Sequence, residues 1–460
     1  MSVKNDAALK AEELSREELI ELVKKQYKEL QELNKELQEL KEENQKAQNE
    51  LKKYKNAHTP SSQIKFEKIV AQGLKVGRKK GKKTGHKGRT RAKDTPLKVV
   101  EVTTDVNPTT GNRNILPTGE VEKVTITDFE IVKMVTQFNC YEYRDLDTGE
   151  VFVAMHADMP DRGIFGKNVL ALASYLRFEG RVMYDKIASV FTNVFGIGMT
   201  TPTALDICTR VGEKARPDYE SLKEMIKKEE AVNADETGAK RNGMPGWLWG
   251  FFSLSVALFV FNQKRGGDIV ERILGKDFRG LLGADGWSTY KVFVEEFGIL
   301  LQRCWAHALR EVKQVCVFEC KKGGSSLLPA YEWFCDIFSQ VKKARKVKSR
   351  EMREQLYVEL IEELDCWCQV YSHYTKLREV VNTIRNGKEY WFTCVLHPEI
   401  EPTNNLAERM LRAWVVMRKI IGCLRTKKGE QTTETMLSLF GTWKLKNQHP
   451  YQQLKSLLGA

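Results

Sequence analysis

Three carboxylates stand out in a strongly basic chain. Asp235 ends the apolar lead of "AVNADETGAK", Asp285 ends that of "RGLLGADGWSTY", and Glu408 sits with Arg409 and Arg412 in "EPTNNLAERMLR". Neighbouring carboxylates repel unless a cation holds them or one keeps its proton. Magnesium suits such a group, because it takes oxygen ligands and keeps positions for substrate phosphate oxygens. Two such ions, about 3.5–4 Å apart, can activate an attacking oxygen and stabilise a leaving one in an in-line displacement. The second ion needs a third carboxylate, and Glu408 can supply it. The plain alternative for Glu408 is an ordinary i,i+4 ion pair with Arg412.

Asp235 and Asp285 lie far apart along the chain, so the elements between them must bring them together. Asp235 reads as a strand end, followed by apolar strands at 247–253 and 256–262 and a helix in "GGDIVERILG". A short strand then delivers Asp285, another follows in "GILLQRC", and a helix begins at "CWAHALREV". Three strands joined by tight turns, a helix, then a strand parallel to the first is the order of an RNase H-like sheet. The expected fold class is therefore an α/β core, a mixed sheet with flanking helices, in which the first and fourth strands are neighbours. Their acids then converge on one edge. At 3.6 residues per turn, Glu408, Arg412, Val415 and Lys419 share one helix face, and Met410, Trp414, Met417 and Ile421 form the opposite apolar stripe. Asn404 or Asn405 caps that helix. Glu408 is thus expected to point off the core, with Arg412 and Lys419 as candidate DNA contacts.

The totals agree with a nucleic-acid partner. The 460 residues carry 74 Lys and Arg against 61 Asp and Glu, a formal net charge of +13, which favours a polyanion such as double-stranded DNA. No stretch reaches the ~20 apolar residues of a membrane span, so no membrane association is expected. The longest apolar run, "GWLWGFFSLSVALFVF", contains serines and reads as two strands. The charged N-terminus does not read as a signal peptide. None of the ten cysteines forms a CxxC pair. The expectation is reduced thiols in a cytoplasmic, nucleoid-associated protein.

Seven segments follow from the patterning. Residues 1–58 read as a coiled-coil oligomerisation helix, opened by a Ser15/Glu18 capping box. Its a positions are Val23, Leu30, Leu37, Asn44 and Leu51, and its d positions Leu19, Gln26, Leu33, Leu40, Ala47 and Tyr54. This spacing favours a seam between two helices, hence a homo-oligomer, over a lone solvated helix. Residues 59–95 form a basic linker. Between Lys68 and Lys93 it has no acid, and Lys79, Lys80, Lys82, Lys83, Lys87, Arg89 and Arg91 cluster there, as a tether or a phosphate-tracking DNA-binding arm. Two-residue alternation over 96–160, in "LKVVEVTT", "EVEKVTITDFEIVKMV" and "NCYEYRDLDTGEVFVAM", predicts a small antiparallel β module with a turn at Asp147–Gly149. Residues 161–228 turn helical. A turn at Gly196–Gly198 and a helix opened by Thr200 and Thr201 suit a helix-turn-helix, with a plain helical bundle as the alternative. The core occupies 229–310 and 396–460, the latter with the Glu408 helix and C-terminal tail. Residues 311–395 form a helical insertion with Cys316, Cys320, Cys335, Cys366 and Cys368 among apolar positions.

The blocks "NADETGAK", "LGADGWSTY", "CWAHALREV" and "PTNNLAERMLRAWVVMRK", in this order, resemble the insertion-sequence-66-type DDE transposases of the RNase H-like transposase/integrase superfamily. "NAHTPSS" and "KKTGHKGRTR" resemble that family's linker, so the likeness covers nearly the whole chain. The resemblance implies a catalytic triad of Asp235, Asp285 and Glu408 that binds two Mg²⁺ or Mn²⁺ ions. It also implies cut-and-join chemistry at the ends of a mobile element, and small accessory proteins from the same element. Cys304 and His307 resemble a Cys-x-x-His motif of related transposases. His307 either contacts DNA or the scissile phosphate, or forms with Cys304 a buried pair that positions the insertion. One departure is the cysteine-free "VTTDVNPTTGNRNILPTGE", where family members carry a zinc knuckle, so zinc is not expected. The rivals are an RNase H-like DNA nuclease without joining activity and a domesticated DNA-binding regulator.

Overall fold

The computed structural model describes residues 95–266, 268–285, 288–321 and 327–459. The coiled-coil segment and the basic arm from Lys79 to Arg91 lie outside the described residues. The described chain divides between residues 208 and 209 into two compact units.

In the N-terminal unit the sequence predicts three alternating strand stretches, but only the last pairs. β1 (Glu142–Arg144) and β2 (Val151–Val153) form an antiparallel hairpin with Tyr143 opposite Phe152. Asp145 accepts the Asp147 and Thr148 N–H groups, and Gly149 takes φ +76°, which closes the turn near the expected place. "LKVVEVTT" and "EVEKVTITDFEIVKMV" form no strand, and Val102, Ile126, Phe129 and Val132 stay exposed. Alternation marks which side chains could share a face. A strand also needs a partner backbone and a surface to cover, and one short hairpin supplies neither.

Three helices follow: α1 (Lys167–Phe178), α2 (Tyr184–Asn193) and α3 (Thr201–Lys214). Gly196 at φ +64° turns the chain between α2 and α3, and Thr200 accepts the Thr203 N–H at the start of α3. Ala173, Ile187, Phe191, Met199, Ala204 and Ile207 close a small core.

The C-terminal unit opens within α3, continues with α4 (Arg216–Ile226) and then builds a five-stranded mixed sheet. Its elements are β3 (Ala231–Arg241), β4 (Met244–Phe252), β5 (Ala257–Asn262), α5 (Asp268–Leu274), β6 (Leu281–Ala284), α6 (Ser288–Phe297) and β7 (Leu300–Arg303). Asn242 and Gly243, both at positive φ, make the tight β3–β4 turn. The strand order is β5-β4-β3-β6-β7, with β3–β4–β5 antiparallel and β3–β6–β7 parallel. The first and fourth strands are neighbours, as the element order predicts.

Between β7 and the Glu408 helix lies the expected helical insertion: α7 (Trp305–Lys321), α8 (Leu328–Ala344), α9 (Arg350–Tyr371), α10 (Arg378–Arg385) and α11 (Thr393–Leu396). Its core is aromatic, with Trp305, Phe334, Trp367, Trp391 and Phe392 buried. The chain returns to the sheet through α12 (Asn405–Ile421), which packs on β3 and β4, and α13 (Lys427–Leu445), which packs on β5. α14 (Pro450–Gly459) ends the described chain.

α13 is fitted to the edge strand. The outward N–H groups of Ala257, Phe259 and Phe261 donate to Thr442 Oγ1, Ser438 Oγ and Glu434 Oε2 at 3.0, 2.9 and 3.2 Å. Two strand residues rise about 6.7 Å and four helix residues about 6.0 Å, so the two spacings match for three successive bonds. Close approach requires a glycine: a Cβ on Gly441 would lie 2.7 Å from Ala257 Cβ. Gly→Ala inside a helix ordinarily stabilises by about 0.5–1 kcal/mol. Gly441→Ala is instead expected to destabilise by about 1–3 kcal/mol through overpacking, read as a lowered urea midpoint at unchanged slope.

Candidate active site

Side chains alternate along β3, so Asn233, Asp235 and Thr237 share a face. That face looks onto α12: Asn233 Nδ2 donates to Asn404 Oδ1 at 3.0 Å, and Arg418 Nη1 donates to Thr237 Oγ1 at 2.9 Å. Asp235 stands between these two ties. The parallel β3–β6 register pairs Asn233 with Gly283, and two residues further along each chain are Asp235 and Asp285. A Cβ at Gly283 would lie 2.5 Å from Asn233 Nδ2, so the glycine two residues before Asp285 leaves room for the Asn233 side chain between the strands.

α12 differs from its sequence reading in two ways. Asn404 is the N-cap by position but makes no capping bond. It is buried, and its Nδ2 donates to Ala234 O at 2.8 Å while its own N–H donates to Cys304 Sγ at 3.1 Å. The side chain that sequence assigns to the helix end instead ties the start of α12 to β3 through both its carbonyl and its amide, and the backbone N–H adds the tie to Cys304. Second, Val415 is buried, not on the open face with Glu408. The covered stripe is Ala407, Leu411, Trp414, Val415, Met417 and Arg418, since α12 lies across both β3 and β4 and must bury a wider arc. Arg412 and Lys419 remain exposed. Glu408, in the first turn, sits at the stripe's border with its side chain 23 % exposed.

Glu408 Oε1 accepts Arg310 Nη2 at 3.2 Å and lies 3.7 Å from His307 Nε2, both on α7. Burial, reinforced by the carboxylates of Glu236, Asp285 and Glu408, pushes the Asp235 carboxyl well above the usual carboxylate range, against a 2.8 Å bond from the Glu236 N–H. The structure thus sets Asp235 on β3 and Asp285 just past the end of the neighbouring β6, with Glu408 within electrostatic reach of Asp235. Among the described residues no three acidic, histidine or cysteine side chains converge as a ligand set. Glu408 rests on Arg310 and His307. The side chains gathered here are carboxylates, a donor type that would suit a hard divalent cation.

His307 is pushed below its usual range by burial and by the Arg310 charge, which favours neutral imidazole, and its Nδ1 is buried with no hydrogen-bond partner in the structure. Cys304 is buried, and its thiol is pushed up to about 11 by burial, so it is no thiolate at neutral pH. It acts as an acceptor for the Asn404 N–H.

Sequence reasoning missed Glu236 and Arg310. Glu236 points to the opposite face from Asp235, 1 % exposed, held by Arg265 Nη2 at 2.7 Å and by the Tyr290 hydroxyl at 2.8 Å. Alternation on β3 could have flagged it, since an acid on a core face needs partners. Arg310 lies three residues after His307, on the same helix face. Nothing in sequence states which helix that face meets.

No helix among the described residues is long and apolar enough to cross a membrane. A search of curated proteins gives no match. The family model described as Transposase IS66 family matches residues 162–432, from before α1 to the first turns of α13. That span is more than half of the chain and contains all three acids, and on this match the chain belongs to the IS66 family of transposases.

Proposed function

We propose that this transposase cuts and joins DNA strands at the ends of a mobile element on an RNase H-like core, with Asp235, Asp285 and Glu408 as its divalent-ion ligands. The strand order β5-β4-β3-β6-β7, with β3 central, supports the fold assignment. The observation that supports the site is the β3–β6 register, which pairs Asn233 with Gly283, two residues before each aspartate, with the Glu408 helix α12 packed on β3. Bound Mg²⁺ or Mn²⁺ would supply Lewis-acid activation of the attacking oxygen and stabilisation of the leaving one. The chain's own residues then divide the remaining work. Asn233 and Asn404 lock β3 to α12 and so fix the spacing of Asp235 and Glu408. Cys304 positions the start of α7 against the loop before α12, and neutral His307 faces the site as a DNA contact.

Around the site, exposed Arg412 and Lys419 on α12 are proposed to bind backbone phosphates, as is the arm from Lys79 to Arg91. The remaining proposals are double-stranded element ends and target DNA as substrates, oligomerisation through residues 1–58, small accessory proteins, and action at the nucleoid. Incubating the full chain with an end duplex, a plasmid target and Mg²⁺ should yield joined products. Cleavage without joining would instead favour the nuclease, and neither product the DNA-binding regulator.

A further inference from the structure

α7 and α12 begin side by side for definite reasons. The Trp305 N–H donates to Pro402 O at 3.0 Å, and the Asn404 N–H donates to Cys304 Sγ. With both helix starts pinned, the Arg310–Glu408 contact joins two partly buried side chains, 29 % and 23 % exposed, on fixed backbones. Other acids crowd the same place. Glu311 is pushed up by burial, with Asp285 raising it further and Arg303 and Arg310 opposing. Arg310 therefore lies in a negative field and rests on the acid that the proposed site needs for its second ion.

A carboxylate has about four lone-pair directions, and those given to a guanidinium are lost to an ion approaching from the same side. Arginine stays charged at any working pH, and its planar fork fits a phosphate as well as a carboxylate. We propose that Arg310 is the counter-ion of Glu408 in the metal-free protein and becomes a DNA phosphate contact once Glu408 turns to a divalent ion. This rests on the ligand assignment above. One residue would then serve both states: it screens the acid cluster when the protein is empty, and it is released toward substrate by the same event that loads the site.

The test is Mn²⁺ binding to the full chain without DNA, followed by calorimetry or by the electron paramagnetic resonance signal of free Mn²⁺. Arg310→Met is expected to tighten Mn²⁺ binding by about fivefold, because a competitor is gone. In a Glu408→Gln background the same substitution should change nothing. Duplex binding by Arg310→Met, measured with Ca²⁺ present, should lose about 0.9 from its log–log salt slope, the share of one phosphate. Arg310→Gln serves as a second variant should the methionine not fold. Unchanged Mn²⁺ affinity in Arg310→Met, or an unchanged salt slope, overturns the inference. Asp235→Asn separates the two levels. If it weakens Mn²⁺ binding while Arg310→Met does nothing, only the Arg310 role fails. If Asp235→Asn binds Mn²⁺ as before, the ligand assignment fails and takes the inference with it.

Discussion

Asp235→Asn, Asp285→Asn and Glu408→Gln should each lower strand transfer by about a thousandfold or more while leaving binding of the element-end duplex intact. A divalent ion contributes several kcal/mol of transition-state stabilisation, and each 1.36 kcal/mol is tenfold in rate. Removing one anionic ligand forfeits much of that. Duplex binding should survive because the loss of a negative charge beside phosphate repels DNA less. Asp235→Asn carries a second signature in the metal-free protein. Asp235 has its carboxyl raised by burial and by Glu236, Asp285 and Glu408, so the folded state holds this proton more tightly than the unfolded chain does. The stability cost is absent below the ordinary carboxylate range and grows as pH rises through the higher folded value. Asp235→Asn should therefore raise the metal-free melting temperature at neutral pH, by about 2–4 °C for each kcal/mol relieved, and flatten the decline with pH. Full joining activity with Mg²⁺ in any one of the three variants would remove that residue from the assignment.

Trp305→Ala should be the most damaging single truncation in the insertion. The indole is fully buried, with ring centroids of Phe334, Phe338, Trp391 and Phe392 at 5.4–5.6 Å, and its Nε1 donates to Trp391 O at 2.6 Å. Loss of a buried tryptophan costs about 3–5 kcal/mol. Gln302 Nε2 also donates to Trp391 O, so the carbonyl keeps a partner and the penalty is one of packing. The consequence reaches the site, because Trp305 opens α7 two residues before His307. On the other side, Arg345 at the end of α8 donates to Pro398 O and Ile400 O and pairs with Glu401, holding the approach to α12. The insertion thus clamps both helices that meet at Glu408. A melting temperature lowered by roughly 10 °C and faster proteolysis between 305 and 395 are expected. A shift of under 2 °C would refute this role.

Much of the site was legible because strands and amphipathic helices write their periods into the chain. The apolar leads to Asp235 and Asp285, the strand–helix order between them, and the helix around Glu408 all follow from local pattern. What was not legible depends on partners that local pattern does not name. Asn404 looked like a cap because asparagine is favoured before a helix, yet here the Asn233 amide and the Ala234 carbonyl of β3 claim its side chain. Val415 moved inside because α12 spans two strands. The alternating stretches over 97–135 have the period of a sheet without a neighbour to pair with. Arg310 became visible only when α7 was placed against α12, and the Tyr290 partner of Glu236 only when α6 was placed.

The bonding of α13 to β5 bears on how copies of the protein can associate. A bare outer strand is an invitation to any extended backbone, and successive chains could then zip flank to flank into an endless ribbon. Here every second amide of β5 is already engaged by Thr442, Ser438 and Glu434. If copies gather at DNA ends as proposed, this edge of the sheet offers them no open backbone to fuse through, and their assembly is left to other surfaces.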